Sequence, residues 1–147
     1  MKIYFASDHA GFEMKDTLIK FVKNLGFDVV DCGAYKLDLE DDYPIFIKKA
    51  AEAVSKDPQN SKAIILGGTG QGEDMVADKF SGVRSAEYYG GNLEIITLSR
   101  EHNDANILSL AARFLGIEKA KEAVELWLET PFSDEERHKR RIHQIDV

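Results

Sequence analysis

The sequence has one cysteine, three prolines, one tryptophan and no long apolar run among its 147 residues. A lone cysteine, Cys32, cannot form an internal disulfide and excludes a metal site built from several thiolates. So few prolines leave no proline-rich linker. A membrane span needs about 20 predominantly apolar residues, and the N-terminus reaches Asp8 and His9 too soon for a signal peptide. These absences predict an intracellular, cytoplasmic protein without membrane contact.

Positive charge is also in deficit, with 19 Lys and Arg against 26 Asp and Glu and a formal net charge of -7. Such a balance argues against binding to nucleic acid. The charge is uneven, because residues 38–42 are acidic whereas residues 137–143 carry four basic side chains and two histidines. The basic cluster is typical either of a solvated helix face or of a site for one anion.

The length predicts a single domain over residues 1–147. Short apolar segments predict strands at residues 3–6, 27–30 and 63–66, with weaker candidates at 83–86 and 94–98. Helical periodicity predicts helices at 12–25, 44–55, 104–115 and 118–129, and a capping box at 133–136 predicts the start of a last helix. This alternation favours an α/β fold, a three-layer α/β/α domain with a five-stranded parallel sheet.

Three polar segments, residues 7–11, 67–73 and 99–104, each follow a predicted strand. Ligands of parallel sheets bind at the carboxyl ends of the strands. We therefore expect the three segments to converge at one edge of the sheet.

The glycine-rich segment 67–73 does not match the dinucleotide-binding pattern. It also departs from the phosphate-loop pattern, because Glu73 and Asp74 stand where that pattern has Lys and Ser or Thr. What remains is a turn and a helix beginning near Gly72, whose free amides can stabilise an oxyanion beside the Glu73 carboxylate. This arrangement suits proton abstraction next to a carbonyl, although a tight turn with an acidic helix start would look the same.

His9 and His102 lack the spacing of metal ligands. Each suits acid–base chemistry or contact with an anion, and a purely structural role is the alternative. Cys32 is expected to be a buried apolar residue. Tyr43, beside Pro44, is a candidate for the wall of a ligand pocket, whereas Tyr88 and Tyr89 suit the core or a pocket wall.

Five blocks occur together in a known order and spacing: Ser7–Gly11, Asp42–Pro44, Gly68–Gly72, Arg100–Asn106, and Thr130–Phe132 followed by Arg137, His138 and Arg141. In these blocks the chain resembles, over its whole length, the family of type B ribose-5-phosphate isomerases and galactose-6-phosphate isomerases. The resemblance implies a Rossmann-like fold and aldose–ketose isomerisation through a cis-enediolate, without metal or cofactor. It also implies homodimers or dimers of dimers with shared active sites, in which the C-terminal helix reaches a partner subunit.

The resemblance assigns catalytic roles by position. His102 would help to open the sugar ring, Asp8 would hold substrate oxygens near it, and Thr69 would assist proton movement between the C1 and C2 oxygens. Many members carry a cysteine base where this chain has Gly67, but a subgroup uses a glutamate one turn later, which makes Glu73 the expected base. The implied substrate and phosphate contacts are His9, Tyr43, Gly68, Gly70, Gly72, Asn103, Arg113, Arg137, His138 and Arg141.

A second departure from the family lies in segment 87–92, which is less apolar than usual and either reshapes the sugar end of the pocket or forms a surface loop. The expected substrate is ribose 5-phosphate. A six-carbon substrate such as allose or galactose 6-phosphate, and a sugar-phosphate-binding module without turnover, are the alternatives.

Overall fold

The computed structural model describes residues 1–145; the last two residues of the predicted domain lie outside the described range. Five strands are present: β1 Lys2–Ser7, β2 Asp28–Asp31, β3 Ser61–Gly67, β4 Ser85–Tyr88 and β5 Ile107–Ala111. A short 3-10 turn, His9–Gly11, leads into the first of six helices: α1 Phe12–Asn24, α2 Tyr43–Lys56, α3 Gln71–Ala77, α4 Glu94–Glu101, α5 Ile117–Glu129 and α6 Glu136–Ile145.

The strands form one sheet in the order β2-β1-β3-β5-β4, and every neighbouring pair is parallel. Alternate residues of β3 enter two separate cores. Ile64 and Leu66 pack with residues of α1, α4 and α5, whereas Ala63 and Ile65 pack with residues of α2 and α3. Burial on both faces explains the continuous apolar character of the strand. The predicted α/β/α architecture with five parallel strands is confirmed.

Two predictions for the second half of the chain are wrong. Residues 94–98, predicted as a strand, begin α4, and residues 107–111 of the predicted helix 104–115 form β5. The apolar residues of 94–98 suggested a strand, but Ile95 is 56% exposed and Ile96 is buried, as expected for one face of a helix. Segment 107–111 is buried throughout because β5 lies between β3 and β4. Short buried segments of either type look alike in sequence.

The position of the third polar segment, residues 99–104, therefore differs from the prediction. Residues 99–104 precede β5, so they lie at the amino edge of the sheet rather than at its carboxyl edge. The expected convergence of all three polar segments within one chain is therefore wrong.

The prediction of a capping box at 133–136 is also wrong, because α6 begins only at Glu136. The hydroxyl of Ser133 instead accepts a hydrogen bond from the Glu135 amide at 3.4 Å and shares one with His138 Nδ1 at 2.8 Å. Within residues 1–145, every helix is too short or too polar to cross a membrane.

Candidate active site

The loop after β1 places Asp8 and His9 at the carboxyl edge of the sheet. Asp8 Oδ1 accepts a hydrogen bond from the Ala10 amide at 3.0 Å and thereby begins the 3-10 turn. Asp8 is only 7% exposed. The turn packs closely on β3, since a Cβ at Gly11 would lie 2.6 Å from Leu66 Cβ. The position of the Asp8 carboxylate is therefore fixed by both its cap and its packing.

The glycine-rich segment forms a tight loop between β3 and α3. Gly70 has φ +75°, a conformation that favours glycine, and its carbonyl accepts a hydrogen bond from the buried Ser109 hydroxyl at 2.7 Å. A Cβ at Gly68 would lie 3.0 Å from the Arg113 guanidinium, and one at Gly72 would lie 2.5 Å from the Tyr43 hydroxyl. The absence of side chains lets Arg113 and Tyr43 lie directly against the loop.

Glu73 lies in the first turn of α3 and is 4% exposed. Its carboxylate occupies the space that a side chain at Gly67 would need, so a Cβ there would collide with it. Burial raises the pKa of Glu73, and the nearby Asp8 carboxylate raises it further, whereas the backbone amide of Glu73 acts in the opposite direction. A buried carboxylate with a raised pKa has the properties of a general base.

Together these elements line an open pocket of about 380 Å³, which we name the strand-end pocket. Its lining consists of Asp8, His9, Ala10, Tyr43, Gly68, Thr69, Gln71, Gly72, Glu73, Met75 and Arg113. The pocket therefore contains most of the site residues expected from the sequence. Thr69 also accepts a hydrogen bond from the Gln71 amide through its hydroxyl, at 3.3 Å.

Gly70 lies in the glycine loop but does not line the pocket, and the other predicted residues form a second group around α6 and the loop before β5. The rings of His102 and His138 stack with their centroids 4.3 Å apart. His138 is only 3% exposed, and burial together with the neighbouring His102 lowers its pKa. Asn103, Arg137 and Arg141 are exposed. The Nδ1 of His138 is engaged by Ser133, and the ring is buried, whereas the two arginines are exposed.

Two arginines hold the loop that carries His102 and Asn103. Arg84 Nε donates to the Asn103 carbonyl at 2.9 Å. Arg100, which is 5% exposed, donates to the Ala105 carbonyl at 2.6 Å and to the Thr130 carbonyl at 3.1 Å. These hydrogen bonds connect the loop to the residue before β4 and to the residue after α5.

The two groups lie at opposite ends of β5. His102 and Asn103 precede the strand, whereas Arg113 follows it. Five residues of parallel strand span about 17 Å. Within a single chain, the residues of the second group therefore cannot contact a small molecule held at Glu73.

Asp41 is a pocket neighbour that the sequence did not single out by itself. Its Oδ1 accepts hydrogen bonds from the His9 amide at 3.0 Å and from His9 Nδ1 at 2.7 Å. Asp8, His9 and Asp41 are the one trio within residues 1–145 whose potential metal-ligating atoms lie within 4.8 Å of one another. The hydrogen bond already engages His9 Nδ1, so the trio is explained without an ion. The acidic segment 38–42 indicated that a carboxylate could lie near the site, but nothing in its composition distinguishes Asp41 from its neighbours.

Segment 87–92 does not line the strand-end pocket. Tyr88 is buried in the core and its hydroxyl donates to the Gly91 carbonyl at 2.9 Å, whereas Tyr89 is 65% exposed. Cys32 is buried, as expected, and burial raises its pKa.

Comparison with known proteins places this geometry in a family. Ribose-5-phosphate isomerase B of Mycobacterium tuberculosis is 39% identical over 142 residues, which cover 97% of this chain and 86% of that protein. The Escherichia coli protein of the same name is 34% identical over 147 residues, covering 98% and 93% of the two chains. The crystal structure of the Mycoplasma genitalium ribose-5-phosphate isomerase B with bound ribulose-5-phosphate has a TM-score of 0.93 at 35% identity, over 98% of this chain and 93% of that one. The family model described as Ribose/Galactose Isomerase matches residues 3–145, and the chain therefore belongs to this family.

Proposed function

We propose that this protein interconverts ribose 5-phosphate and ribulose 5-phosphate, with Glu73 as the general base. The observation that carries the proposal is the buried Glu73 carboxylate above Gly67, which faces a pocket at the carboxyl ends of the strands. Relatives named ribose-5-phosphate isomerase B, and a solved relative with bound ribulose-5-phosphate, support this substrate.

The proposed reaction begins with ring opening assisted by His102, while Asp8 holds substrate oxygens. Glu73 then removes the proton from C2 of the open-chain aldose, and the electron pair forms the C1–C2 double bond of a cis-enediolate. The backbone amides of the glycine loop stabilise the negative oxygen. Thr69 assists the transfer of a proton from the C2 oxygen to the C1 oxygen, and Glu73 returns its proton to C1 to complete the ketose.

The raised pKa of Glu73 suits this exchange. A carboxylate with an ordinary pKa near ~4.3 is a weak base towards a carbon acid. Burial raises the basicity of Glu73 and so favours proton removal, and proton transfer is most efficient when the pKa of the base approaches the working pH.

A complete site of this kind requires a second subunit. Glu73 and His102 are held at opposite ends of the sheet, so we propose that His102, Asn103, Arg137 and Arg141 of one subunit complete the strand-end pocket of its partner. The exposed arginines then supply positive charge for the phosphate. A homodimer, or a dimer of dimers, provides this arrangement through a two-fold axis.

The test is the Glu73→Gln variant, which keeps the shape of the side chain but removes the base. We expect the turnover of ribose 5-phosphate to fall by about 10²- to 10⁴-fold, while binding of the sugar phosphate, measured by calorimetry, is retained. Asp74→Asn is the matched control, because Asp74 neighbours Glu73 on α3 but does not line the pocket. Near wild-type turnover in Glu73→Gln contradicts the assignment.

The substrate is tested with a panel of five- and six-carbon aldose phosphates in a coupled assay. We expect the highest kcat/KM with ribose 5-phosphate. A preference for allose or galactose 6-phosphate would assign the protein to six-carbon substrates. Binding without turnover of any member of the panel would identify a non-catalytic sugar-phosphate-binding module.

A further inference from the structure

Within residues 1–145, the hydrogen bonds of the Asp41 side chain go to His9, a residue that lines the strand-end pocket. Asp41 belongs to the acidic segment 38–42 between β2 and α2, and it lies 32 positions from His9 in the sequence. Whereas Asp38, Glu40 and Asp42 are exposed, the side chain of Asp41 is only 8% exposed. A buried carboxylate within an otherwise solvated acidic loop needs a compensating partner.

His9 is that partner. Asp41 Oδ1 accepts both the backbone amide and the ring Nδ1–H of His9, so it holds the residue at two points. Asp41 Oδ2 is buried and has no hydrogen-bond partner within residues 1–145. In the same range His9 is also the sole cation in contact with Asp41. The charge of this carboxylate is therefore compensated only when His9 is protonated.

The charged groups around His9 shift its pKa in opposite directions and by unequal amounts. The hydrogen bond that His9 donates to Asp41 raises the pKa of His9 most strongly, and the Asp8 carboxylate, 3.9 Å away, also raises it. Burial and the positive charge of Arg113 lower it, but the net direction is upward. The upward direction favours the protonated form of His9 beside Arg113, and both side chains line the strand-end pocket.

We propose that Asp41 is a positioning residue, which orients the His9 ring and maintains its positive charge so that His9 and Arg113 bind the phosphate group of the substrate together. Because Nδ1 is committed to Asp41, Nε2–H is the donor that His9 can offer to a phosphate oxygen. A charge-assisted hydrogen bond of this kind is about twice as strong as a neutral one. The inference rests on the proposed function for the sugar, but the recognised chemistry is a phosphate dianion.

Asp41→Asn tests the proposal, because it keeps the hydrogen-bond acceptor but removes the charge. We expect KM for ribose 5-phosphate and the inhibition constant of inorganic phosphate to rise by about tenfold near pH 8, with kcat within about threefold of wild type. At that pH a phosphate ester, with a second pKa near ~6, is already dianionic, so the change reports the protein. The pH above which phosphate affinity declines should also fall in Asp41→Asn.

Two further variants separate positioning from a general effect on the loop. Asp38→Asn is the matched control, since Asp38 is exposed in the same loop and accepts the Glu40 amide at 3.0 Å, as an asparagine can. It should leave KM, phosphate inhibition and their pH dependence unchanged. In a His9→Gln background, Asp41→Asn should cause no further loss of phosphate affinity, because the two residues act through one contact.

The proposal fails if Asp41→Asn binds phosphate as wild type does, or if its effect persists in the His9→Gln background. Should Asp41→Asn not fold, NMR titration of wild-type His9, assigned with His9→Gln, decides: a pKa at or below the ordinary value of ~6.5 overturns the inference. Calorimetry with inorganic phosphate keeps this outcome separate from the proposed function. Loss of phosphate binding in Asp41→Asn supports the inference even if the protein has no isomerase activity. If isomerase activity and phosphate affinity are unchanged in Asp41→Asn, the inference fails but the proposed function stands.

Discussion

At the scale of single residues, the site depends on Gly67 and Glu73, because the position of the Glu73 side chain requires a glycine at position 67. The Glu73 carboxylate fills the volume next to Gly67, so a side chain at position 67 and the observed position of Glu73 cannot coexist. The resemblance of the sequence to the family suggested that the base had moved from position 67 to position 73. The structure gives a steric reason why a cysteine at position 67 and the observed Glu73 carboxylate exclude each other, since both need the same space.

Gly67→Ala therefore should impair the enzyme although it leaves the base in place. The added Cβ displaces the Glu73 carboxylate, and overpacking of this kind costs about 1–3 kcal/mol of stability. We expect a loss of kcat of about 100-fold together with a lower urea midpoint. Gly116→Ala is the control, since nothing lies within 4 Å of a Cβ at Gly116. If the collision is the cause, adding Glu73→Ala should restore the stability of Gly67→Ala but not its activity.

Glu73 should also lower the stability of the fold at neutral pH. Its folded pKa lies above the unfolded value, so its contribution to stability is fully present below the unfolded pKa and is lost as pH rises through the folded pKa. Glu73→Gln removes this loss. We expect the variant to have a higher Tm than wild type at pH 8, and the gap to shrink towards pH 4, as measured by scanning calorimetry. An equal or lower Tm for the variant at pH 8 would contradict the burial of an ionised base.

At the scale of elements, the limits of sequence-based prediction are clearest around β5. The continuous apolar pattern of β3 identified it correctly, since it is bounded by a turn and by the glycine loop. Segment 107–111 has the same apolar character, but together with the loop residues on either side it fitted the helical spacing predicted for 104–115. That it is a strand follows from pairing with β3 and β4, which no local signal encodes. Together with the wrong prediction of a strand at 94–98, this error reversed the predicted side of the sheet for His102 and Asn103.

Arg100 has a role at this scale that its sequence position did not reveal. It is buried over the Trp127 ring and joins the end of α4 to α5 and to the loop before β5. Arg100→Ala leaves the Ala105 and Thr130 carbonyls without this donor and Asp104 without this ion pair. We expect a loss of about 2–4 kcal/mol in the free energy of unfolding, measured with urea, whereas Arg140→Ala on the exposed face of α6 should change it by less than about 0.5 kcal/mol.

At the scale of the whole molecule, the distribution of charge bears on how the subunits are arranged. A net charge of -7 disfavours polyanions, yet Arg137 and Arg141 form an exposed basic strip on α6. This strip lies with His102, at the far end of β5 from Glu73. The global charge therefore disfavours nucleic acid, and in the proposed shared site the two arginines would contact one phosphate in the partner's pocket.

A shared site predicts that two inactive variants restore each other. Glu73→Gln lacks the base in its own strand-end pocket, and Arg137→Ala lacks a phosphate contact that it would give to its partner. In a mixed dimer one pocket carries both defects, whereas the other combines an intact Glu73 with an intact Arg137. If equal amounts are co-refolded and chains pair at random, half of the dimers are mixed and each has one intact site. The mixture should therefore recover about a quarter of wild-type activity. A mixture no more active than the average of the separate variants would show that each chain uses its own Arg137. The separation of Glu73 from α6, whose His138 stacks on His102 at the other end of β5, argues against that result.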